Sequence, residues 1–226
     1  YIYDDTLATV LYVALQLGRP LLIEGAAGVG KTEVAKVMAA ALDRELVRMQ
    51  CYEGLDESKA LYEWNYQKQL LSIQVNMGSE DKDALTKSLF SDEYLLERPL
   101  LQSIRSMKPV VLLIDEIDKA DEEFEAFLLE ILSDLQVSIP EIGTIKANSV
   151  PFVVLTSNRA RPLSEALRRR CAYLHIEYPD MEKELAILRA KLPHVDDRLC
   201  AQVALAVQKL RSNEAILKKP SIAETL

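Results

Sequence analysis

The chain has 226 residues, of which 49% are hydrophobic and 27% are charged, an ordinary composition for a globular protein. Its net charge of −8 argues against broad, sequence-independent binding to nucleic acid or to an anionic membrane surface. Three scattered cysteines and two histidines argue against a zinc site or a disulfide framework, so we expect reduced, buried cysteines and a cytoplasmic location.

Buried strands alternate with helices along the first part of the chain. Apolar residues at helical spacing predict helices, and short apolar runs bounded by glycine, proline or polar residues predict strands. The predicted helices cover 4–17, 31–42, 56–75, 93–106 (around a break at Pro99), 122–135 and 164–170. The predicted strands cover 20–25, 45–51, 109–116, 151–158 and 171–178. Continuous apolar strands with helical crossovers predict a parallel sheet covered on both faces.

Two segments interrupt this alternation. An insertion covers about 52–91; its helical part carries the single tryptophan, and 76–92 is polar and predicted to be a loop with a weak helix. For its aromatic residues we favour core packing over a partner-facing surface. Apolar and polar residues alternate on both sides of Pro140 to Gly143, which predicts a β-hairpin at about 136–147.

The composition changes after Pro179. Two helices, 181–192 and 196–211, follow there without a strand signal. We therefore predict a large α/β domain over 1–178 and a small helical domain over 179–226.

The two ends of the chain suggest that it is a piece of a longer protein. It starts at Tyr1, and Ser221 and Glu224 form a capping-box pattern that opens a helix close to the last residue. We expect trimming at both ends, which would truncate the helical domain. No apolar run is long enough to predict a membrane-spanning helix, and no signal peptide is visible.

The strongest chemical signal is "GAAGVGKT", which matches the phosphate-loop pattern G-x-x-x-x-G-K-[ST] and stands between a predicted strand and a predicted helix. Glycines let backbone N–H groups approach phosphate oxygens, and the helix points its positive end at the same phosphates. Lys31 is predicted to reach the β- and γ-phosphates, and the Thr32 hydroxyl to ligate Mg²⁺. The candidate phosphate-binding residues are Gly25, Ala26, Ala27, Gly28, Val29, Gly30, Lys31 and Thr32.

Polar residues end two further predicted strands. "VVLLIDE" ends in Asp115 and Glu116, at the strand edge where open α/β sheets bind ligands. We predict that Asp115 serves the metal and that Glu116 polarises an attacking water. Asn158, at the end of "FVVLTSN", is predicted to orient that water towards the γ-phosphate, with Thr156 and Ser157 as alternative polar groups. Alternatively, Asn158 only forms the turn that ends the strand, without a role in the reaction.

Five arginines fall within twelve residues, and three of them are consecutive. A solvated basic face is the usual explanation of such a run. ATP hydrolysis, however, needs positive charge at the γ-phosphate, and an arginine supplied by a neighbouring chain accelerates it by roughly 10³–10⁵. We therefore predict that at least one of these residues completes the ATP site of the next subunit in a homo-oligomer. The five are Arg159, Arg161, Arg168, Arg169 and Arg170.

The motifs GAAGVGKT, LLIDEID, LTSN and EALRRRC, in this order and followed by helices, resemble those of an AAA+ ATPase. The resemblance implies a three-layer αβα P-loop NTPase with a five-stranded parallel sheet and a C-terminal helical lid domain. It also implies ATP and Mg²⁺ as cofactors and a homo-oligomeric ring, with a hexamer as the expected form. Arg170 best matches the arginine finger of this superfamily, with Arg169 second.

The insertion and the hairpin resemble those of the MoxR branch, in which such elements face the substrate. "CYEGLDESKALYEWNYQKQLLSIQ" resembles the MoxR-type ATPase that matures molybdenum–copper carbon monoxide dehydrogenase. This resemblance implies a chaperone with a metalloenzyme client and a von Willebrand A-type adaptor. The sequence departs from the pattern at Asp118, where MoxR proteins often have Asn. It also lacks the sensor 2 arginine: Ile222 falls near that place, and Lys219 is a weak substitute.

Three other classes of protein share parts of this sequence pattern. A small GTPase would need N-K-x-D, and no asparagine here precedes a lysine. A DNA motor or clamp loader shares the RRRC stretch, but the acidic balance argues against it. A module that binds ATP without hydrolysing it is disfavoured by the intact Glu116.

Overall fold

The computed structural model describes residues 2–3, 5–75, 89–216 and 218–226. The strands in this part of the chain are β1 (Leu21–Gly25), β2 (Leu46–Gln50), β3 (Tyr62–Trp64), β4 (Leu95–Glu97), β5 (Val111–Asp115), β6 (Gln136–Ile139), β7 (Gly143–Lys146), β8 (Phe152–Ser157) and β9 (Ala172–Ile176). The α-helices are α1 (Asp5–Leu17), α2 (Lys31–Ala41), α3 (Glu57–Leu61), α4 (Tyr66–Val75), α5 (Pro99–Arg105), α6 (Glu122–Asp134), α7 (Glu165–Arg170), α8 (Met181–Lys191), α9 (Asp197–Ser212) and α10 (Ile222–Thr225).

A five-stranded parallel sheet forms the centre of the fold, in the order β2-β5-β8-β1-β9. Strands β1, β5 and β8 are buried along their whole length, as their continuous apolar sequences predict. Because all strands run the same way, the carboxyl ends of β1, β5 and β8 meet at one edge. The predicted five-stranded parallel α/β fold is confirmed.

Both faces of the sheet are covered. On one face, α1 and α2 pack on β1, β5 and β8 through a cluster that includes Leu7, Val34 and Leu113. On the other face, α5, α6 and the insertion pack through a larger cluster that includes Leu101 and Phe124. This gives the three layers that the sequence predicts.

The predicted continuous helix over 56–75 is wrong. The chain forms α3, then β3, and then α4, which begins after Asn65. The Asn65 side chain accepts a hydrogen bond from the Lys68 backbone, as a helix N-cap does, and its own N–H is bound by Tyr94. Trp64 is buried and pairs with Leu95 across the strands, so tertiary packing overrides the helical spacing here.

The predicted helix over 93–106 is also corrected. The residues before Pro99 form a 3-10 turn and β4, whereas Pro99 is the first residue of α5. Proline is favoured at this position, because its missing N–H has no helical partner there, and it disfavours helix in the preceding residue. Most of the predicted loop at 76–92 lies outside the described residues.

The predicted hairpin is confirmed, with β6 and β7 antiparallel and Ile139 opposite Gly143. The helices predicted after Pro179 are also present as α8 and α9, and their contact is built on Leu188, Cys200 and Ala204. The division into domains at 178 stays a prediction. Cys51, Cys171 and Cys200 are buried and unpaired, as expected.

Across the described ranges, no helix has the length and hydropathy needed to cross a lipid bilayer.

Candidate nucleotide-binding site

The phosphate loop connects β1 to α2 at the carboxyl edge of the sheet. Gly30 caps α2 with a left-handed backbone, φ 96°, which glycine adopts without strain. Gly25 is needed for a different reason: a Cβ there would lie 2.2 Å from the carbonyl oxygen of Ile176 on β9. The glycine spacing of the motif thus reflects both a turn and a close approach of two strands.

Lys31 is buried at the start of α2, and its ammonium group has three acceptors. Its Nζ donates to the carbonyls of Gly25 (2.9 Å) and Ala26 (2.7 Å) and to Asn158 Oδ1 (2.7 Å). Burial lowers the pKa of Lys31, although the nearby carboxylates oppose this effect. The lysine is therefore a partly desolvated cation held at the mouth of the loop, where a phosphate can replace its acceptors.

Asp115 ends β5 and is 3% exposed. Its carboxylate accepts hydrogen bonds from Thr156 Oγ1 at 2.5 Å and from Thr32 Oγ1 at 3.2 Å. Arg48 Nη2 on β2 forms an ion pair with it at 2.6 Å. The predicted metal residues, Thr32 and Asp115, are therefore adjacent.

Glu116 follows with a left-handed backbone, φ 58°, which is uncommon outside glycine and concentrates at functional sites. Its backbone N–H donates to Thr156 Oγ1 at 2.9 Å. Its carboxylate accepts from Asn158 Nδ2 at 3.2 Å and from Gln50 Nε2 at 2.9 Å, and it pairs with Lys119 at 2.5 Å. Glu116 is therefore turned into a polar network at the sheet edge.

Asn158 joins the lysine and the glutamate, since its amide oxygen accepts from Lys31 and its amide nitrogen donates to Glu116. Asp118, which is 3% exposed, holds the turn behind it by accepting from the backbone N–H groups of Asn158 (3.1 Å) and Ala160 (2.8 Å). Asn158 therefore links the lysine to the glutamate, and its role in orienting an attacking water stays a prediction.

A cleft of about 480 Å³ opens above this network. Its polar floor is formed by the phosphate loop and by Asp115, Glu116 and Asn158. Its other walls are mainly apolar and come from the start of the chain, the end of β9, and helices α8 and α10. They include Ile2, Ile176, Ile187, Ala190, Ile222 and Leu226. A polar floor beside apolar walls suits a phosphorylated ligand that carries a flat ring.

Helix α10 lies over the phosphate loop. Its predicted capping box is present: the Ser221 N–H donates to Glu224 Oε2 at 2.7 Å. Ile222 lines the cleft in the place considered for sensor 2, whereas Lys219 is exposed and lies outside the cleft lining. The cationic residues that α8 presents along the cleft are Lys183 and Lys191.

The five clustered arginines divide into two groups. Arg159 pairs with Glu24 (2.9 Å), and Arg161 with the fully buried Glu125 (2.5 Å), so these two hold the turn after β8. The consecutive arginines at the end of α7 are exposed and do not line the cleft.

Within that second group, each side chain has a different contact. Arg168 lies over the Tyr173 ring, with its guanidinium carbon 6.0 Å from the ring centroid. Arg169 pairs with Glu165 at the surface, and Arg170 Nη1 contacts the Leu129 carbonyl at 3.4 Å.

Sequence reasoning missed two residues of the site, Arg48 and Gln50. Both lie on β2, two positions apart and therefore on one face of the strand. Gln50 is in register with Asp115 on the adjacent β5. The alternation of apolar and polar residues in "LVRMQ" predicts that Arg48 and Gln50 share one face of the strand. It does not predict that this face reaches the site, because that depends on β2 lying beside β5.

The donor set fits a small, hard cation. Among the described residues there is no group of three or more His, Cys, Asp or Glu side chains arranged to hold a metal. One carboxylate and one hydroxyl, Asp115 and Thr32, converge instead at the phosphate loop. Mg²⁺ is commonly held by so few protein oxygens together with phosphates and water.

Residues 20–171 match the family model for the AAA domain, dynein-related subfamily. The chain belongs to this AAA family. The matched range begins at β1, includes the phosphate loop, Asp115, Glu116 and Asn158, and ends after the arginine cluster.

Relatives and solved structures are similar to this chain at low sequence identity. An uncharacterised protein of Staphylococcus aureus (strain bovine RF122 / ET3-1) is 23% identical over 215 residues, which cover 92% of this chain and 74% of that protein. A Cytophaga hutchinsonii protein, provisionally described as an ATPase, is 20% identical with a TM-score of 0.60. The alignment covers 93% of this chain, and the chain spans 60% of that structure.

The Thermotoga maritima RuvB Holliday junction branch migration motor is 17% identical, with a TM-score of 0.51 over 98% of this chain and 66% of the motor. At these identities the likeness extends to the fold alone. Membership of the AAA family, shown by the family model over 20–171, makes the chain an AAA-type ATPase.

Proposed function

We propose that the chain hydrolyses ATP in a Mg²⁺-dependent reaction and uses the energy to remodel a partner protein. The observation that carries the hydrolysis is one connected network: Lys31 contacts Asn158, Asn158 contacts Glu116, and Thr32 contacts Asp115 on the floor of one cleft. A phosphate-binding cation, a metal ligand and a candidate base therefore face the same space.

The phosphate loop from Gly25 to Thr32 would bind the triphosphate. Its backbone N–H groups and the N-terminus of α2 favour negative charge, and Lys31 would exchange its present acceptors for phosphate oxygens. The apolar walls contributed by Ile176, Ile187 and Ile222 would hold the base. This arrangement would orient the γ-phosphate towards the ends of β5 and β8.

Thr32 and Asp115 would hold the metal, which supplies a Lewis acid for the phosphate oxygens when it is bound. Glu116 would polarise the attacking water, and Asn158 would position it. For this task Glu116 must leave the contacts that it now makes with Gln50 and Lys119.

Arg170, with Arg169 as the second candidate, would neutralise charge at the γ-phosphate of the adjoining subunit. Both side chains are exposed and neither lines the cleft of its own chain, which supports a role in trans. This proposal includes a ring, with six subunits as the expected number.

The finer proposal places the chain in the MoxR branch, as a chaperone for a metalloenzyme such as molybdenum–copper carbon monoxide dehydrogenase, together with a von Willebrand A-type adaptor. It rests on the likeness of the insertion and the β6–β7 hairpin to that branch. The alternative is an ATPase that acts on nucleic acid. The fold shared with the RuvB motor favours the alternative, and the net charge of −8 opposes it.

The test is ATP turnover by the purified chain, with Lys31→Ala and Glu116→Gln as variants and the exposed Lys36→Ala as control. We expect Lys31→Ala to lose nucleotide binding and Glu116→Gln to bind ATP but turn over at least about 100-fold more slowly. Unchanged ATP affinity in Lys31→Ala would refute the phosphate-loop assignment.

The choice of partner requires a second measurement. Turnover is measured with added double-stranded DNA at rising salt and, separately, with carbon monoxide dehydrogenase subunits. A steeply salt-sensitive stimulation by DNA would favour the nucleic-acid alternative, because phosphate contacts weaken with salt. Stimulation by the enzyme subunits alone would favour the chaperone.

A further inference from the structure

Arg48 is not part of the phosphate loop or of the strand ends that sequence motifs mark, yet it forms an ion pair with the buried carboxylate of Asp115. Its Nη2 lies 2.6 Å from Asp115 Oδ2 and 3.0 Å from Gln50 Oε1. Its side chain is 51% exposed, whereas that of Asp115 is 5% exposed. A half-solvated, long side chain therefore neutralises a buried carboxylate.

The Asp115 carboxylate has three side-chain partners among the described residues: the Thr156 hydroxyl, the Thr32 hydroxyl and the Arg48 guanidinium. Arg48 is the one full positive charge among them. A buried carboxylate without a compensating cation is strongly disfavoured. Arg48 thus supplies the charge that a divalent cation between Thr32 and Asp115 would otherwise supply.

We propose that Arg48 is an internal competitor of the metal. It neutralises Asp115 while the site lacks a divalent cation, and it must give up that carboxylate when metal and nucleotide bind. This inference rests on the proposed function, since it takes Thr32 and Asp115 as the residues that serve the metal. Arg48 is accordingly a positioning residue that sets how strongly nucleotide binding depends on metal.

The displaced side chain has a place to go. Arg48 and Gln50 line both the nucleotide cleft and a second cleft of about 620 Å³. The walls of this second cleft include Tyr62, Glu63 and Trp64 of the insertion. Because Arg48 is half-exposed, its movement from one cleft to the other breaks one ion pair and requires no rearrangement of the core.

The experiment measures the Kd of a fluorescent, non-hydrolysable ATP analogue, with Mg²⁺ and with EDTA, for the wild type and for Arg48→Met. The Kd in EDTA divided by the Kd in Mg²⁺ gives the factor by which the metal tightens nucleotide binding. Removing the competitor should increase this ratio at least about threefold, because the metal no longer displaces a cation from Asp115. The matched control is Arg98→Met, which lines the second cleft but pairs with Glu63; its ratio should equal that of the wild type.

Arg48→Lys keeps the charge and should lie between the wild type and Arg48→Met, which covers the case in which methionine prevents folding. Melting temperature provides a readout without nucleotide: added Mn²⁺ should raise it more in Arg48→Met than in the wild type. An unchanged or smaller ratio in both Arg48 variants overturns the proposal. If the wild type binds the analogue neither with Mg²⁺ nor with EDTA, the proposed function itself fails.

Discussion

Gly28 of the phosphate loop lies directly beneath Ser221, the residue that caps α10. A Cβ added to Gly28 would come within 2.5 Å of the Ser221 Cβ and 2.6 Å of its Oγ. This contact joins the loop to the last helix, so α10 can respond to what the loop binds.

Gly28→Ala should therefore lower both the melting temperature and the nucleotide affinity. Gly54→Ala is a matched control, because Gly54 has a similar φ of +77° against +73° for Gly28, but a Cβ there meets nothing within 4 Å. Both variants carry backbone strain of roughly 1 kcal/mol, and only Gly28→Ala adds the overlap with α10. Equal losses of melting temperature in the two variants would contradict an overlap between Gly28→Ala and α10. Adding Ser221→Gly should restore melting temperature to Gly28→Ala but not to Gly54→Ala.

We expect an arginine at the end of α7 to act on the ATP that the adjoining subunit binds. Arg170→Ala should keep ATP affinity but lower turnover by about 10³-fold or more, and Arg169→Ala tests the second candidate. Mixing Arg170→Ala with Lys31→Ala subunits should restore some activity, because one of the two kinds of mixed interface combines the intact loop of one variant with the intact arginine of the other. The exposed Arg198→Ala on α9 is the control, with turnover like the wild type. If the mixture shows no restored turnover under conditions that give mixed rings, Arg170 does not act in trans and is an ordinary surface residue.

The helices after β9 are held together by a buried ion pair. Arg211 contacts both oxygens of Glu184 at 2.7 and 2.8 Å, and Gln208 and Thr225 donate to the same carboxylate. Because Thr225 belongs to α10, this pair fixes the helix that covers the nucleotide cleft.

Glu184→Ala should lower the free energy of unfolding by about 3–5 kcal/mol and weaken nucleotide binding, because Arg211 is left as a buried, unpaired charge. Urea unfolding and analogue titration measure the two effects. The exposed Glu182→Ala, two residues before Glu184 on α8, should change either quantity little. Replacing both partners with methionine should recover much of the stability; if it does not, the loss comes from the other contacts of Glu184.

Burial protects two thiols. It raises the pKa of Cys51 and of Cys171 to about 12, from an ordinary 9.0. We expect thiol reagents at pH 8 to label both residues far more slowly in the folded protein than in urea, since the thiolate is the reactive form.

The same shifts make stability depend on alkaline pH. A folded-state pKa above the unfolded one contributes stability below about 9 that is lost as the pH rises towards about 12. Urea titrations at pH 8 and 10 should therefore give a lower free energy of unfolding at pH 10. Serine at Cys51 and Cys171 should reduce this difference, and an unchanged difference would assign it to other groups.

The sequence by itself determined the five strands, the phosphate loop and the polar residues that end β5 and β8. These signals are local: an apolar run buries a strand, and a glycine pattern between a strand and a helix shapes a phosphate site. Asp115, Glu116 and Asn158 could be named as site residues because the ends of parallel strands share one edge. Their individual roles stay predictions.

Tertiary structure decided what no local pattern carries. Residues 56–75 have helical spacing, yet the pairing of Trp64 with Leu95 draws three residues into a strand, because burying Trp64 against the neighbouring strand outweighs a weak helical preference. Arg48 became part of the site only because β2 lies beside β5, and Ser221 only because the last helix folds back over Gly28. Contacts between distant segments depend on packing across the whole chain, so no window of sequence contains them.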